Sequence, residues 1–157
     1  MIKKLTNNDT VKVITLMNNY IATGQNIIGL QRDEAVWITF FLNILKEQNH
    51  NNPHYFAYGD FEGDTLKGFL LASTYTSHYN AHIIMDVKDC IVDLNHNTTY
   101  TVIRLFNTLM DYIKKNKGMR WRADSIRAEK HTEQYARLLK LKYNADIYFS
   151  AHGKIGE

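Results

Sequence analysis

Asp86 and Asp89 stand three apart in the mostly apolar run from Ile83 to Asp93. A carboxylate held on a strand can act as general base toward an amine, directly or through water. Regular strand alternation places these two on opposite faces, so only one of them would meet a substrate. The structural alternative for either is a solvent-facing carboxylate paired with Lys88 or with a neighbouring strand. His78, His82 and His96 bracket the same run, while His50 and His54 flank Pro53. Each set contains a pair four apart, His78 with His82 and His50 with His54, but neither pair falls in an expected helix, and Cys90 is the one cysteine, so no metal is expected. Cys90 alternates with apolar neighbours and reads as a small core residue rather than a nucleophile. Arg120, Trp121, Arg122 and Arg127 form the local basic-aromatic cluster. On a strand, Arg120 and Arg122 share a face that could receive a phosphate or an acidic partner. Asp124 and Glu129 interleave with them, and charged residues at a strand edge also deter unwanted pairing.

The elements that must position these residues follow from periodicity. Ile2 to Leu5 reads as a short strand, and Asn7, Asn8, Asp9 and Thr10 supply helix-capping oxygens. Val11, Ile14, Met17 and Ile21 then recur at helical spacing, up to an end near Gly24. A second helix starts at Asp33, with Val36, Trp37, Phe40, Phe41, Ile44 and Leu45 as its core face. His54 to Tyr58, Thr65 to Thr74 and Ile83 to Asp93 make an antiparallel meander with a turn over residues 60–64. Gly68 interrupts the second of these strands; Ile83, Met85, Val87 and Ile91 are expected on one face of the third. Thr98 and Thr99 open a long helix through Asn116, with Gly118 past its end. A strand from Met119 to Arg127, a helix from His131 to Leu141, a strand from Tyr143 to Ser150 and a tail complete the order. Tyrosines at 55, 58, 75 and 79 cluster with Phe56, Phe61 and Phe69 on the hairpin, and those facing outward suit a protein interface.

The chain has 157 residues with 45% apolar content, which fits one ordered domain over 1–157. Its 19 Lys and Arg against 16 Asp and Glu leave +3, too little and too scattered for a nucleic-acid footprint. No run is long and apolar enough for a membrane helix, and no apolar core follows the first lysines as a secretory signal would require. With one cysteine, these features lead to an expected cytoplasmic location.

The order β-α-α-β-β-β-α-β-α-β resembles the GNAT (Gcn5-related N-acetyltransferase) superfamily over nearly the whole chain. The resemblance implies an α/β fold, with a mixed sheet of six or seven strands and four helices. It also implies that the segment after the fourth strand holds the pyrophosphate of acetyl-CoA on backbone amides and a helix N-terminus. Here that segment is Val92-Asp93-Leu94-Asn95-His96-Asn97-Thr98-Thr99-Tyr100, so Val92, Asn97, Thr98, Thr99 and Tyr100 would form the cofactor cradle. Asn97 stands where the family has Arg, and Thr98, Tyr100 and Val102 stand where it has small residues. No glycine is left to let a phosphate approach, and Tyr100 is expected to lie across its place.

The family's general-acid Tyr falls at Leu138 and its Asn at His131, leaving Tyr135, one turn earlier, as the available acid; His131 itself reads as an N-cap or surface residue. Asp86 or Asp89 would be the base. The chain is also similar to small phage-encoded GNAT-like proteins. Two functions follow from the resemblance. One is a GNAT-like domain that has lost catalysis, binds no cofactor and serves as a protein-binding or virion-assembly module in the host cytoplasm or virion, with virion proteins or a second copy as partner. The other is an acetyl-CoA-dependent N-acetyltransferase acting on an amine.

Overall fold

A computed structural model describes residues 1–23, 33–123 and 129–146. Its elements are β1 (Ile2–Lys4), α1 (Thr10–Ala22), α2 (Glu34–Asn49), β2 (Tyr55–Glu62), β3 (Thr65–Thr76), β4 (Ile83–Val92), α3 (Thr98–Lys115), β5 (Met119–Ala123) and α4 (Glu129–Tyr143). The sheet runs β1-β2-β3-β4-β5, antiparallel except for the parallel β4–β5 pair. It has five strands among the described residues, against the six or seven expected. Tyr143 closes α4 instead of opening a strand, 144–146 form none, and 147–157 lie outside the described residues. The distal end of the expected fifth strand, with Arg127, also lies outside them. The helix α4 belongs to a second compact unit, separate from the one that carries the sheet and α1 to α3.

Local chemistry accounts for the elements. A turn at Asn7–Asp9 precedes α1, and buried Asp9 accepts from the Thr6 amide and hydroxyl at 2.9 and 2.8 Å. The α1 stripe that packs is Val13, Leu16, Met17 and Tyr20; Val11 is 75% exposed. Apolar residues nearly encircle this helix, so spacing alone did not select the buried series. Asp33 caps α2 by accepting from the Val36 amide at 3.1 Å. Phe41, Ile44 and Leu45 are fully buried there, while Val36 points out. Strand β2 runs on through Phe61, so the hairpin turns at Gly63, whose φ of 56° suits glycine.

Helices α1 and α2 pack on one face of the sheet, in a cluster with Ala57, Phe61, Leu66, Phe69, Leu71 and Ile91. Helix α3 covers the other face, where Phe106 meets Trp121 and Tyr112 meets Phe56 edge to face. Burial raises the pKa of Tyr58 and of Tyr112, with Tyr58 adding to the effect at Tyr112. The Tyr112 hydroxyl donates to the Tyr55 carbonyl at 3.3 Å.

At Gly68 the helix α3 packs close against the sheet. A Cβ there would sit 2.6 Å from Thr101 Cγ2 and 3.1 Å from the Ile91 carbonyl oxygen. Gly68→Ala should therefore cost about 1–3 kcal/mol by overpacking, read from urea unfolding at constant m-value.

Candidate active site

The pairing of β3 with β4 slips by one residue between Leu71↔Asp89 and Ala72↔Val87, leaving Lys88 as the extra residue of a β-bulge. Asp86 pairs with Ser73 and Asp89 with Leu71. Those partners are two apart on β3, so both aspartates lie on one face, that of α1 and α2. This corrects the expected opposite faces: the extra residue reverses the alternation. It also puts Ile91, opposite Phe69, on the other face from Met85 and Val87.

Register with β5 runs from Ile83↔Met119 to Val87↔Ala123. Beyond that point, β4 continues from Lys88 to Val92 with β3 alone as its partner among the described residues. The bulge follows directly on Val87, the last residue of β4 paired with β5 among the described residues.

The two aspartates have different surroundings. Asp86 is 3% exposed. Arg122 donates to it from Nε at 3.1 Å to Oδ1 and from Nη2 at 3.2 Å to Oδ2. The Lys88 ammonium also donates to Oδ2. With both oxygens engaged by cations, Asp86 is a poor acceptor for a substrate proton and a good anchor for the two side chains. Arg122, half-exposed, is further held 5.3 Å over the ring of Tyr75.

Asp89 is half-buried and accepts at Oδ2 from the Trp37 indole N–H at 3.0 Å. Trp37 is fixed in turn by stacking on Phe41 at 5.5 Å and by tilted contact with Phe69 at 6.3 Å. A neutral N–H donor orients a carboxylate while leaving its charge in place.

The expected cofactor segment forms the lead into α3. Val92 is buried at the end of β4. Asp93 organises the loop: its amide donates to the Lys67 carbonyl at 2.8 Å, and it accepts from the amides of Asn95 and His96. Asn97 caps α3, taking the Tyr100 amide at 3.2 Å. The first-turn amides of Thr98 and Thr99 have no carbonyl partner within the helix, as at any helix N-terminus. Tyr100 is 54% exposed and lies beside Arg104, whose guanidinium is 5.3 Å from its ring. On the α1 side the loop borders a cavity of about 530 Å³ lined by Lys12, Asn19, Asp64, Asp93 and Asn95, among others but not Tyr100.

Tyr135 is buried on α4, one turn before buried Leu139. His131 lies within the first turn of that helix, so it is not its N-cap. Cys90 is buried, facing Leu70 across the sheet. Among the described residues no three of His, Cys, Asp or Glu converge on a possible metal position, and no helix is long and apolar enough to cross a membrane.

Trp37, Tyr75 and the bulge were missed from sequence. The available signal was Lys88-Asp89, two adjacent charged residues that break the alternation of an otherwise apolar strand.

Because Asp86 is buried and Arg122 is its bidentate partner, Arg122→Met should cost about 1–3 kcal/mol by stranding the carboxylate. Lys88→Met, on a partly exposed chain, should cost less than about 1 kcal/mol. Chemical denaturation of the two variants checks the order.

By sequence, neither a family profile nor a curated protein matches the chain. Solved structures do match its fold. Aminoglycoside antibiotic 6'-N-acetyltransferase AAC(6')-IG from Acinetobacter haemolyticus superposes with a TM-score of 0.69 at 13% identity, covering 100% of this chain and 99% of that one. Ribosomal-protein-alanine N-acetyltransferase from Brucella melitensis biovar Abortus 2308 gives 0.66 at 14%, covering 99% of each. Glucosamine-6-phosphate N-acetyltransferase from Arabidopsis thaliana gives 0.64 at 16%, covering 98% of each. The chain has the fold of the GNAT acetyltransferases over its whole length.

Proposed function

We propose that the protein is an acetyl-CoA-dependent N-acetyltransferase in which Asp89 is the general base. The observation that carries this reading is the bulge at Lys88, which turns Asp89 onto the face of α1 and α2. An extended ligand arm would lie along β4 beyond Val87, meeting the strand through backbone amides and carbonyls. The first-turn amides of Thr98 and Thr99 and the dipole of α3 would receive its phosphates.

When bound, acetyl-CoA supplies an activated acetyl thioester. The acceptor amine attacks the acetyl carbon, so a C–N bond forms and the C–S bond breaks. Asp89 takes the proton the amine gives up, and the departing thiolate is protonated as the thiol leaves. The Trp37 N–H donates to Asp89 Oδ2 and so fixes the orientation of the carboxylate.

A second reading, a GNAT-like domain without catalysis that binds protein, rests on the glycine-free loop. Its Asn95 and His96 amides are already used by Asp93. In that case a virion protein or a second copy of the chain would be the partner.

Asp89→Asn should lower acetyl transfer about 10²–10⁴-fold, measured as thiol release with a panel of amines. Trp37→Phe keeps the stacked ring but removes a donor to the charged carboxylate, so the acidic limb of the pH–rate profile should move to higher pH. Full activity in Asp89→Asn would remove Asp89 from the mechanism. An unmoved limb in Trp37→Phe would make Trp37 purely structural.

A further inference from the structure

Between its two ends α2 carries no charge. Asp33 and Glu34 stand at its N-terminus and Lys46 in its last turn, and from Ala35 to Leu45 every side chain is uncharged. The inner side is occupied: Phe41, Ile44 and Leu45 are fully buried in the cluster on the sheet. With 3.6 residues per turn, the opposite side is formed by Ala35, Val36, Thr39, Leu42, Asn43 and Lys46. All six are exposed.

A helix that faces water ordinarily carries charged and polar residues there. On α2 that side is an apolar band instead, with Val36 66% and Leu42 40% exposed. The Thr39 hydroxyl donates to the Ala35 carbonyl at 2.8 Å, so its polar atom is satisfied within the helix. Charge returns only at the ends, and the two ends have opposite sign.

That pattern is complementary to itself. When two copies of the helix lie antiparallel, Val36 of each meets Leu42 of the other and Thr39 falls at the twofold axis. Lys46 of each then comes to the end of the other that carries Asp33 and Glu34, and the helix dipoles oppose. Parallel packing would set Lys46 against Lys46 and Glu34 against Glu34, which repel. The end charges thus select both the partner and its direction.

We propose that the outer face of α2 is a homodimer interface, in which two copies of the chain pair their α2 helices antiparallel about Thr39. The pairing stands apart from the acetyltransferase reading and needs no acetyl-CoA. One helix per copy makes a small contact, at or below about 1,200 Å² of total buried surface, so the dimer is a reversible one that forms at micromolar concentration and above. The inner side of the same turns holds Trp37 on Asp89, so a partner on the outer side braces the helix beside the candidate site.

Sedimentation velocity on the full chain from about 5 to about 500 µM tests the pairing. The wild-type protein should pass from monomer to dimer over that range. Thr39→Glu and Thr39→Lys each bring two like charges together at the axis and should weaken association at least about tenfold. Both substitutions put a good helix former at an exposed position, so the variants should fold, and circular dichroism verifies that. Mixing the two variants in equal amounts brings opposite charges to the axis and should restore the dimer. A wild-type chain that stays monomeric to about 500 µM overturns the proposal. So does a dimer that survives Thr39→Glu, or a mixture of the two variants that remains monomeric.

Discussion

The site depends on one extra residue in one strand. Without Lys88 as a bulge, Asp89 would face α3 and the Trp37 indole would have no carboxylate to meet. The bulge follows Val87, the last residue of β4 paired with β5 among the described residues, and a bulge adds local twist and interrupts the ladder. The Lys88 side chain then joins Arg122 on Asp86. The placement of both aspartates and the ion pairs around Asp86 thus share an origin.

Around that point the packing is tight. Gly68 admits Thr101 against β3, which seats the N-terminal turn of α3 beside the end of β4. Asp93 fixes the intervening loop through Lys67, Asn95 and His96. A loop ordered by its own side chain needs fewer glycines than one ordered by a ligand. Asn97 and Asp93 supply the hydrogen bonds that hold it in shape. The cost is that two amides already have partners, and any phosphate would depend on the amides of Thr98 and Thr99 and on the helix dipole.

Most of the architecture was legible in the sequence because helical and strand periods are long-range signals. The stretch over Thr98–Lys115 and the strands around Tyr55–Glu62, Thr65–Thr76 and Ile83–Val92 emerge where expected. The site was legible only in part. Asp86 and Asp89 were singled out as the carboxylates of interest, but the assumption of unbroken alternation put them on opposite faces. One residue of slip reverses every later side chain, and nothing in a period-two pattern marks it except the adjacent Lys88 and Asp89. Trp37 looked like core because it is core; its indole N–H has a second role that hydrophobicity does not show. The contact of Tyr100 with Arg104, four residues on, is one that helix geometry favours.

The central claim is that β4 beyond the bulge and the start of α3 form one ligand-binding surface. The most direct measurement is a map of backbone amide shifts on adding acetyl-CoA. Shifts concentrated at residues 88–92 and at Thr98, Thr99 and Tyr100, saturating with a single affinity, are the predicted result. An unchanged amide spectrum at those positions under saturating acetyl-CoA would contradict the claim.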